Sequence, residues 1–279
     1  MNVIRRARGL RTVVIIAGVL LLIVNVAGIT PQSFLQKPAT WNTKGIAGYD
    51  FTLLNENHLL KLIATKSDTS SPSFLADVTN AVYFGTYHTE NRNISFTENW
   101  LLWLAAKFYS PFGRTQDAER VVRGRAGNCS ERVQVLMEIY KRNGIDAQVL
   151  LLNGHVALQA FFRKQWIITD PDFGLVRDGD IQMMRSAEGL AFADSFLVAR
   201  GFNQQVRDYY LYAWRVTSDD KILAVNQYTN TRLFYIEKIT QWLRWLAPLF
   251  LICIGVMWPR LFSGGIRKPA TAERQLSHF

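Results

Sequence analysis

Cysteine is nearly absent from this 279-residue chain, which contains only Cys129 and Cys253. Cys253 lies in an apolar run near the C-terminus, so the rest of the chain has one thiol and no possible internal disulfide. Histidine is also scarce, with four residues. Neither His58 nor His88 stands at metal-ligand spacing, and both read as surface or structural residues. No Gly-rich phosphate loop, paired-His metal motif or internal repeat occurs, and the expectation is chemistry without a metal or an organic cofactor. An unpaired thiol in an oxidising compartment needs a reason, and catalysis is one.

The net charge of +10 would suit nucleic acid if it were spread over a surface. It is concentrated at the ends instead. Arg5, Arg6, Arg8 and Arg11 precede the first apolar run, and residues 259–279 carry four Lys or Arg against Glu273. The two ends hold +7 and the remainder +3. That pattern reads as membrane orientation and not as nucleic-acid binding.

The segments beside those ends are apolar. Thr12 to Ile29 is uncharged for eighteen residues, close to the roughly 20 needed to cross a bilayer. A cleaved signal peptide would have a shorter apolar region and a small-residue cleavage site, so an uncleaved anchor is expected. Leu246 to Trp258 is a second uncharged run, flanked by Trp242 and Trp245 for the interface and by Arg244 and Arg260 able to snorkel. It is read as a second span, with a buried core helix or an interfacial helix as the alternative. The basic flanks place both termini in the cytoplasm, as in a bacterial inner-membrane protein. Residues 31–242 then face the periplasm or the cell exterior.

Chemistry gathers between Gly127 and Gly174, where one Cys, one His and one Asp follow in order. Asn128 stands three residues before Glu131, the capping-box spacing, which puts Cys129 in the first turn of a helix. Val133, Leu136, Met137 and Tyr140 form its apolar stripe, and Gly144 stops it. Three extended runs follow, Ala147–Leu152, His155–Phe162 and Trp166–Asp170, with a turn at Arg163–Gln165. A hairpin over that turn brings His155 and Asp170 within a residue or two of being opposite. A helix packed on the sheet can present Cys129 to the same spot. Thiol, imidazole and carboxylate are what nucleophilic acyl transfer requires, and a helix N-terminus favours both the thiolate and a developing oxyanion.

The segments RGRAGNCSE, RNGIDAQVLLLNGHV and WIITDP together resemble the transglutaminase-like cysteine enzymes, over residues 95 to 175. The resemblance implies Cys129 as nucleophile, His155 as base and Asp170 as orienting acid. It implies an α+β fold with a papain/transglutaminase-like core, a helical subdomain packed on a small antiparallel sheet, flanked here by two transmembrane helices. The implied substrate is a peptide, a protein or another amide or ester, used by a peptidase, amidase, hydrolase or acyltransferase. Many members carry an aromatic residue two positions after the His and an acid four after it, where this chain has Ala157 and Gln159.

The resulting organisation has a cytoplasmic N-terminus at 1–11, a transmembrane helix at 12–29 and a linker and irregular segment at 30–73. The transglutaminase-like domain spans 74–226, followed by a juxtamembrane segment at 227–242, a second transmembrane helix at 243–262 and a cytoplasmic tail at 263–279. Within the domain, Phe96–Tyr109 reads as a helix, and its Trp100 and Trp103 are candidates to line a substrate site, with core packing as the competing role. Gln116–Arg123 reads as a short helix and Arg123 and Arg125 as a solvated basic loop. Pro171–Asp180 reads as turn-rich, Ala187–Arg200 as a helix, and Tyr209–Val216 as either helix or strand. The rival to an enzyme is an inactive, membrane-tethered interaction module in an envelope or polysaccharide-export assembly. No signal for an oligomeric state is present.

Overall fold

The computed structural model describes residues 2–29, 56–89 and 93–262. Residues 30–55 and the tail at 263–279 lie outside them. The chain divides into a globular unit, Gly28–Gln241, and an apolar unit made of Met1–Ala27 and Trp242–Phe279.

The first apolar run lies in helix α1, Asn2–Ala27. The globular unit begins with α2 (Glu56–Ala64) and α3 (Phe74–Gly85), then strand β1 (Tyr87–His88) and α4 (Phe96–Ala105). A 3-10 turn at Ser110–Gly113 leads to α5 (Ala118–Gly124), β2 (Ala126–Gly127) and α6 (Cys129–Arg142). Next come β3 (Asp146–Leu152), β4 (His155–Phe162), β5 (Gln165–Asp170) and β6 (Leu175–Asp178). Three helices follow, α7 (Ile181–Arg185), α8 (Ala187–Ala199) and α9 (Gln204–Arg215), then β7 (Lys221–Ile222) and α10 (Thr231–Phe262). The chain is therefore mixed α+β.

Strands β3 to β7 form one antiparallel sheet in the order β6-β5-β4-β3-β7. Successive side chains on a strand point to opposite faces, and here both faces are apolar. Ala147, Val149, Leu158, Ala160 and Ile167 enter one core with Leu59, Val78, Val121 and Leu136 from α2, α3, α5 and α6. Leu150, Leu152, Ala157, Ile168 and Leu175 enter a second core with Met184, Leu197 and Trp214 from α7, α8 and α9. Helices thus cover the sheet on both sides. Because α2 contributes Leu59 to the first core, part of the 30–73 segment belongs to the globular unit.

The hairpin between β4 and β5 closes on Arg163 and Lys164, both at positive φ (51° and 70°), with Phe162 paired to Gln165. This matches the two-residue turn whose twist suits paired strands. The apolar periodicity of Phe96–Tyr109 overstates α4, which is interrupted at Asn99 (φ −161°, ψ 91°) and ends at Ala105. The cause is the buried Asn99 side chain. Its Oδ1 accepts from Leu102 N at 3.2 Å while its Nδ2 donates to Thr240 Oγ1 at 3.0 Å, so it competes with the helix backbone. Pro171–Gly174 forms a tight turn with Gly174 at φ +68°, and the residues after it are strand β6. The aromatic stretch from Tyr209 is helical, with Tyr210, Leu211, Ala213 and Trp214 buried.

Among the described residues, two helices are long and apolar enough to cross a membrane, over Gly9–Ala27 and Thr231–Met257. The second apolar run is the distal part of α10. Within the apolar unit, α1 and α10 run antiparallel through small residues. A Cβ on Gly18 would fall 2.7 Å from Ile252 Cγ1, and one on Gly255 would collide with Ile15. Pro248 has no N–H, so the Arg244 carbonyl one turn earlier lacks its helical donor. Asn25 Nδ2 supplies the missing hydrogen bond at 2.5 Å.

Candidate active site

The start of α6 is fixed from both sides. Asn128 Oδ1 accepts from Glu131 N at 3.0 Å and Glu131 Oε2 accepts from Asn128 N at 2.9 Å, completing the capping box read in the sequence. Upstream, Arg125 ends α5 in the left-handed region (φ 49°). Strand β1 then holds the following residues in parallel register, with Tyr87 opposite Ala126 and His88 opposite Gly127. Tyr87 N donates to Arg125 O at 2.8 Å and Thr89 N to Gly127 O at 3.0 Å. Cys129 occupies the first helical position and is partly exposed.

His155 opens β4 and Asp170 closes β5. The ladder runs as far as Leu158 opposite Thr169, so one further step sets Asp170 opposite Ala157, two residues from His155 on the same face. His155 Nε2 and Asp170 Oδ2 lie 2.7 Å apart, and both side chains are buried. The Cys129 side chain also reaches the His155 imidazole. With Nε2 taken by Asp170, Nδ1 is the nitrogen left to the thiol. Burial alone would lower the His155 pKa, but the Asp170 carboxylate, aided by Cys129, holds it well above the ordinary value.

A second polar layer supports the first. Asp170 Oδ1 accepts from Asp172 N at 2.9 Å, which fixes the carboxylate facing the imidazole. The Phe173 and Tyr210 rings meet His155 edge-on, each with centroids 5.5 Å away. Burial, and then the Asp170 charge, push the Tyr210 phenol well above its usual value. Asp172 Oδ1 in turn contacts His88 Nδ1 and Arg132 Nη1, each at 2.8 Å. Arg132 is fully buried and also donates to the carbonyls of Asp172 (3.1 Å) and Tyr83 (2.7 Å) and to Thr86 Oγ1 (3.0 Å). Burial would raise the Asp172 pKa, but His88, Arg132 and His155 outweigh it and hold the carboxyl far below its usual range.

His88 and Arg132 are the residues that sequence reasoning did not attach to the site. His88 stands 84 positions from Asp172, and no local pattern signals such a pair. His58 is exposed. Trp100 and Trp103 both lie on α4 and are half-buried. Trp103 packs edge-on against Phe96 at 5.2 Å and lines a cavity of about 410 Å³ with Asn93, Lys107 and Ser110, and none of Cys129, His155 or Asp170 lines that cavity. Ala157 belongs to the second core. Gln159 Nε2 donates to Gln148 Oε1 across the strand register at 2.8 Å. Arg123 pairs with Glu119 at 2.7 Å and approaches Glu56 at 3.8 Å, and Arg125 lies 3.7 Å from Glu56. Among the described residues no group of three or more His, Cys, Asp or Glu is placed to hold a metal ion.

No family model and no curated protein matches this chain. Among solved structures it is similar to a chain in the crystal structure of Rad4–Rad23 bound to a 6-4 photoproduct UV lesion. That likeness has 11% identity and a TM-score of 0.24, covering 76% of this chain and 61% of the other. A match at that level carries no argument about fold or function.

Proposed function

We propose that this chain is a membrane-anchored, transglutaminase-like cysteine enzyme that hydrolyses an amide or ester or transfers its acyl group. The observation that carries the reading is a single one: Cys129 at a helix N-terminus reaches His155, which is hydrogen-bonded to buried Asp170. The Cys129 thiolate attacks the substrate carbonyl while His155 holds the proton taken from the thiol. N–H groups of the first turn of α6 stabilise the oxyanion. The C–N or C–O bond then breaks, His155 protonates the leaving amine or alcohol, and a thioester on Cys129 remains. Water, or an amine or hydroxyl acceptor, attacks that thioester with His155 removing its proton, which releases the acyl product and restores the thiol. Asp170 keeps the imidazole oriented and stabilises its charged form.

The test is the rate at which a chloroacetamide probe modifies Cys129. In the native protein it is expected to be faster than in denatured protein at pH 6 to 7, and His155→Ala should remove the difference. Equal rates would show that no activated thiol exists, and the tethered interaction module would take its place.

The same reading places both termini in the cytoplasm and the globular unit outside it. The antiparallel packing of α1 on α10 supports this, since it puts the N-terminus of one helix beside the C-terminal end of the other. Reporters fused after Asn226 are expected to read as external and those after Phe279 as cytoplasmic. An external reporter after Phe279 would mean that α10 does not cross.

A further inference from the structure

We infer that Arg132 is a positioning residue for the Cys129 site: its buried guanidinium ties the nucleophile helix to the turn that carries the acid, and so sets the spacing of thiol, imidazole and carboxylate. The inference rests on the reading of the chain as a cysteine enzyme and names a residue outside the reacting triad. Cys129 and Arg132 stand three positions apart at the start of α6, so their side chains leave neighbouring points on the same face. Cys129 reaches His155, and Arg132 reaches the β5–β6 turn. A guanidinium has five N–H donors in a rigid fork, and here every nitrogen is engaged. Nε donates to Thr86 Oγ1 at 3.0 Å, Nη1 to the Asp172 carboxylate at 2.8 Å and its carbonyl at 3.1 Å, and Nη2 to Tyr83 O at 2.7 Å and Val82 O at 3.5 Å. One side chain thus fixes α6 against both the end of α3 and the acid turn.

From the turn the link continues into the triad. Asp172 N holds Asp170 Oδ1 at 2.9 Å, and Asp170 Oδ2 meets His155 Nε2 at 2.7 Å. The turn itself is seated on α3 a second time by Arg200, which follows α8. Its Nη2 donates to Gly174 O at 3.3 Å and to Asn80 Oδ1 at 2.8 Å, and both guanidinium groups lie over the Tyr83 ring, Arg200 at 4.9 Å and Arg132 at 5.6 Å from its centre. A Cβ at Gly174 would stand 2.9 Å from Arg200 Nη1 and 3.0 Å from Tyr83 Cγ, so the turn has little room to shift. With the turn held on α3, what remains to be fixed is the placement of α6 on it, and the contact of Arg132 with Asp172 supplies that. A misplacement of about 1 Å between reacting groups can cost on the order of 10²-fold in rate. Side chains locked by packing and hydrogen bonds hold a site within that tolerance, and Arg132 is fully buried.

The experiment follows chloroacetamide modification of Cys129 against pH in the full chain carrying Cys253→Ser, beside urea unfolding of each variant. Arg132→Lys keeps a positive charge next to Asp172, but its single nitrogen cannot serve α3 and the turn together. The apparent thiol pKa is expected to rise by about one unit and the rate at pH 6 to fall about tenfold, with the fold retained. Phe74→Ala controls for stability alone, because that ring packs on Phe162, at the far end of β4 from His155, and its profile should stay that of the wild type. An unchanged profile in Arg132→Lys would overturn the inference. So would the same shift in Phe74→Ala, which would mark a general loosening of the fold. If Arg132→Lys does not fold, Thr86→Val, which removes the acceptor of Nε, carries the same test with the same outcomes. A wild-type profile like that of an ordinary thiol would instead overturn the enzyme reading itself, and this inference with it.

Discussion

Asp172→Ala is expected to destabilise the globular unit by about 3–5 kcal/mol, the usual cost of removing one partner from a buried ion pair. The carboxylate lies between two buried groups, Arg132 and His88, each 2.8 Å from Oδ1. Without it the guanidinium keeps only neutral acceptors, at Tyr83 O, Val82 O, Thr86 Oγ1 and residue 172's own carbonyl. Equilibrium urea unfolding at pH 7 measures the effect. A loss under 1 kcal/mol would mean that Arg132 and His88 do not depend on that charge. The acid limb of stability carries the same information. A carboxyl with a lowered folded pKa contributes in full above its unfolded value, about 4, and the contribution fades as pH falls below it. His155 has the opposite sign. With its folded pKa raised, its contribution is complete below about 6.5 and is lost as pH climbs through the higher folded value. The wild-type acid limb should flatten in Asp172→Ala while the alkaline limb persists.

On the proposed reading as a cysteine enzyme, Asp170→Asn is expected to keep the fold and lose activity by roughly 10⁴, the scale seen when a triad carboxylate becomes an amide. The amide can still accept from Asp172 N and fill the same space. It cannot supply the charge that raises the His155 pKa against its burial. The imidazolium should then be lost at neutral pH, and with it the cation that favours the Cys129 thiolate. The rate of Cys129 alkylation against pH, read in the same variant, should shift toward that of an ordinary thiol near about 8.5. Full activity and an unchanged profile in Asp170→Asn would remove Asp170 from the reacting group.

What could be read from the sequence was local. The capping box of Asn128 and Glu131 spans four residues and the β4–β5 hairpin turns on two, so spacing set Cys129 in a first helical turn and His155 near Asp170. The contacts that escaped notice join distant segments. His88 meets Asp172 across 84 positions, and Asn99 breaks α4 by bonding Thr240 across 141. The extent of α10 was hidden for a related reason. Glu237 and Lys238 interrupt the apolar pattern, yet Glu237 on the helix is buried against the segment before α5, accepting from Thr115 Oγ1 at 2.7 Å and Gln116 N at 2.6 Å. Lys238 reaches Asp117 Oδ2 at 2.7 Å. Periodicity records which side chains are apolar, and partners for charged ones come from elsewhere in the chain.

The hydrogen bond from Asn25 to the Arg244 carbonyl sets an order on biosynthesis. The two residues are 219 positions apart. At about 5–20 residues per second, Asn25 is translated some 10–40 s before its acceptor. In a bilayer, α1 would spend that interval with an amide in hydrocarbon, and Pro248 would later arrive with a carbonyl open one turn before it. Each helix thus carries a polar group that the other pairs. Replacing α1 with a generic leucine helix would remove the Asn25 donor from the Arg244 carbonyl. The first helix is therefore a structural partner of the last.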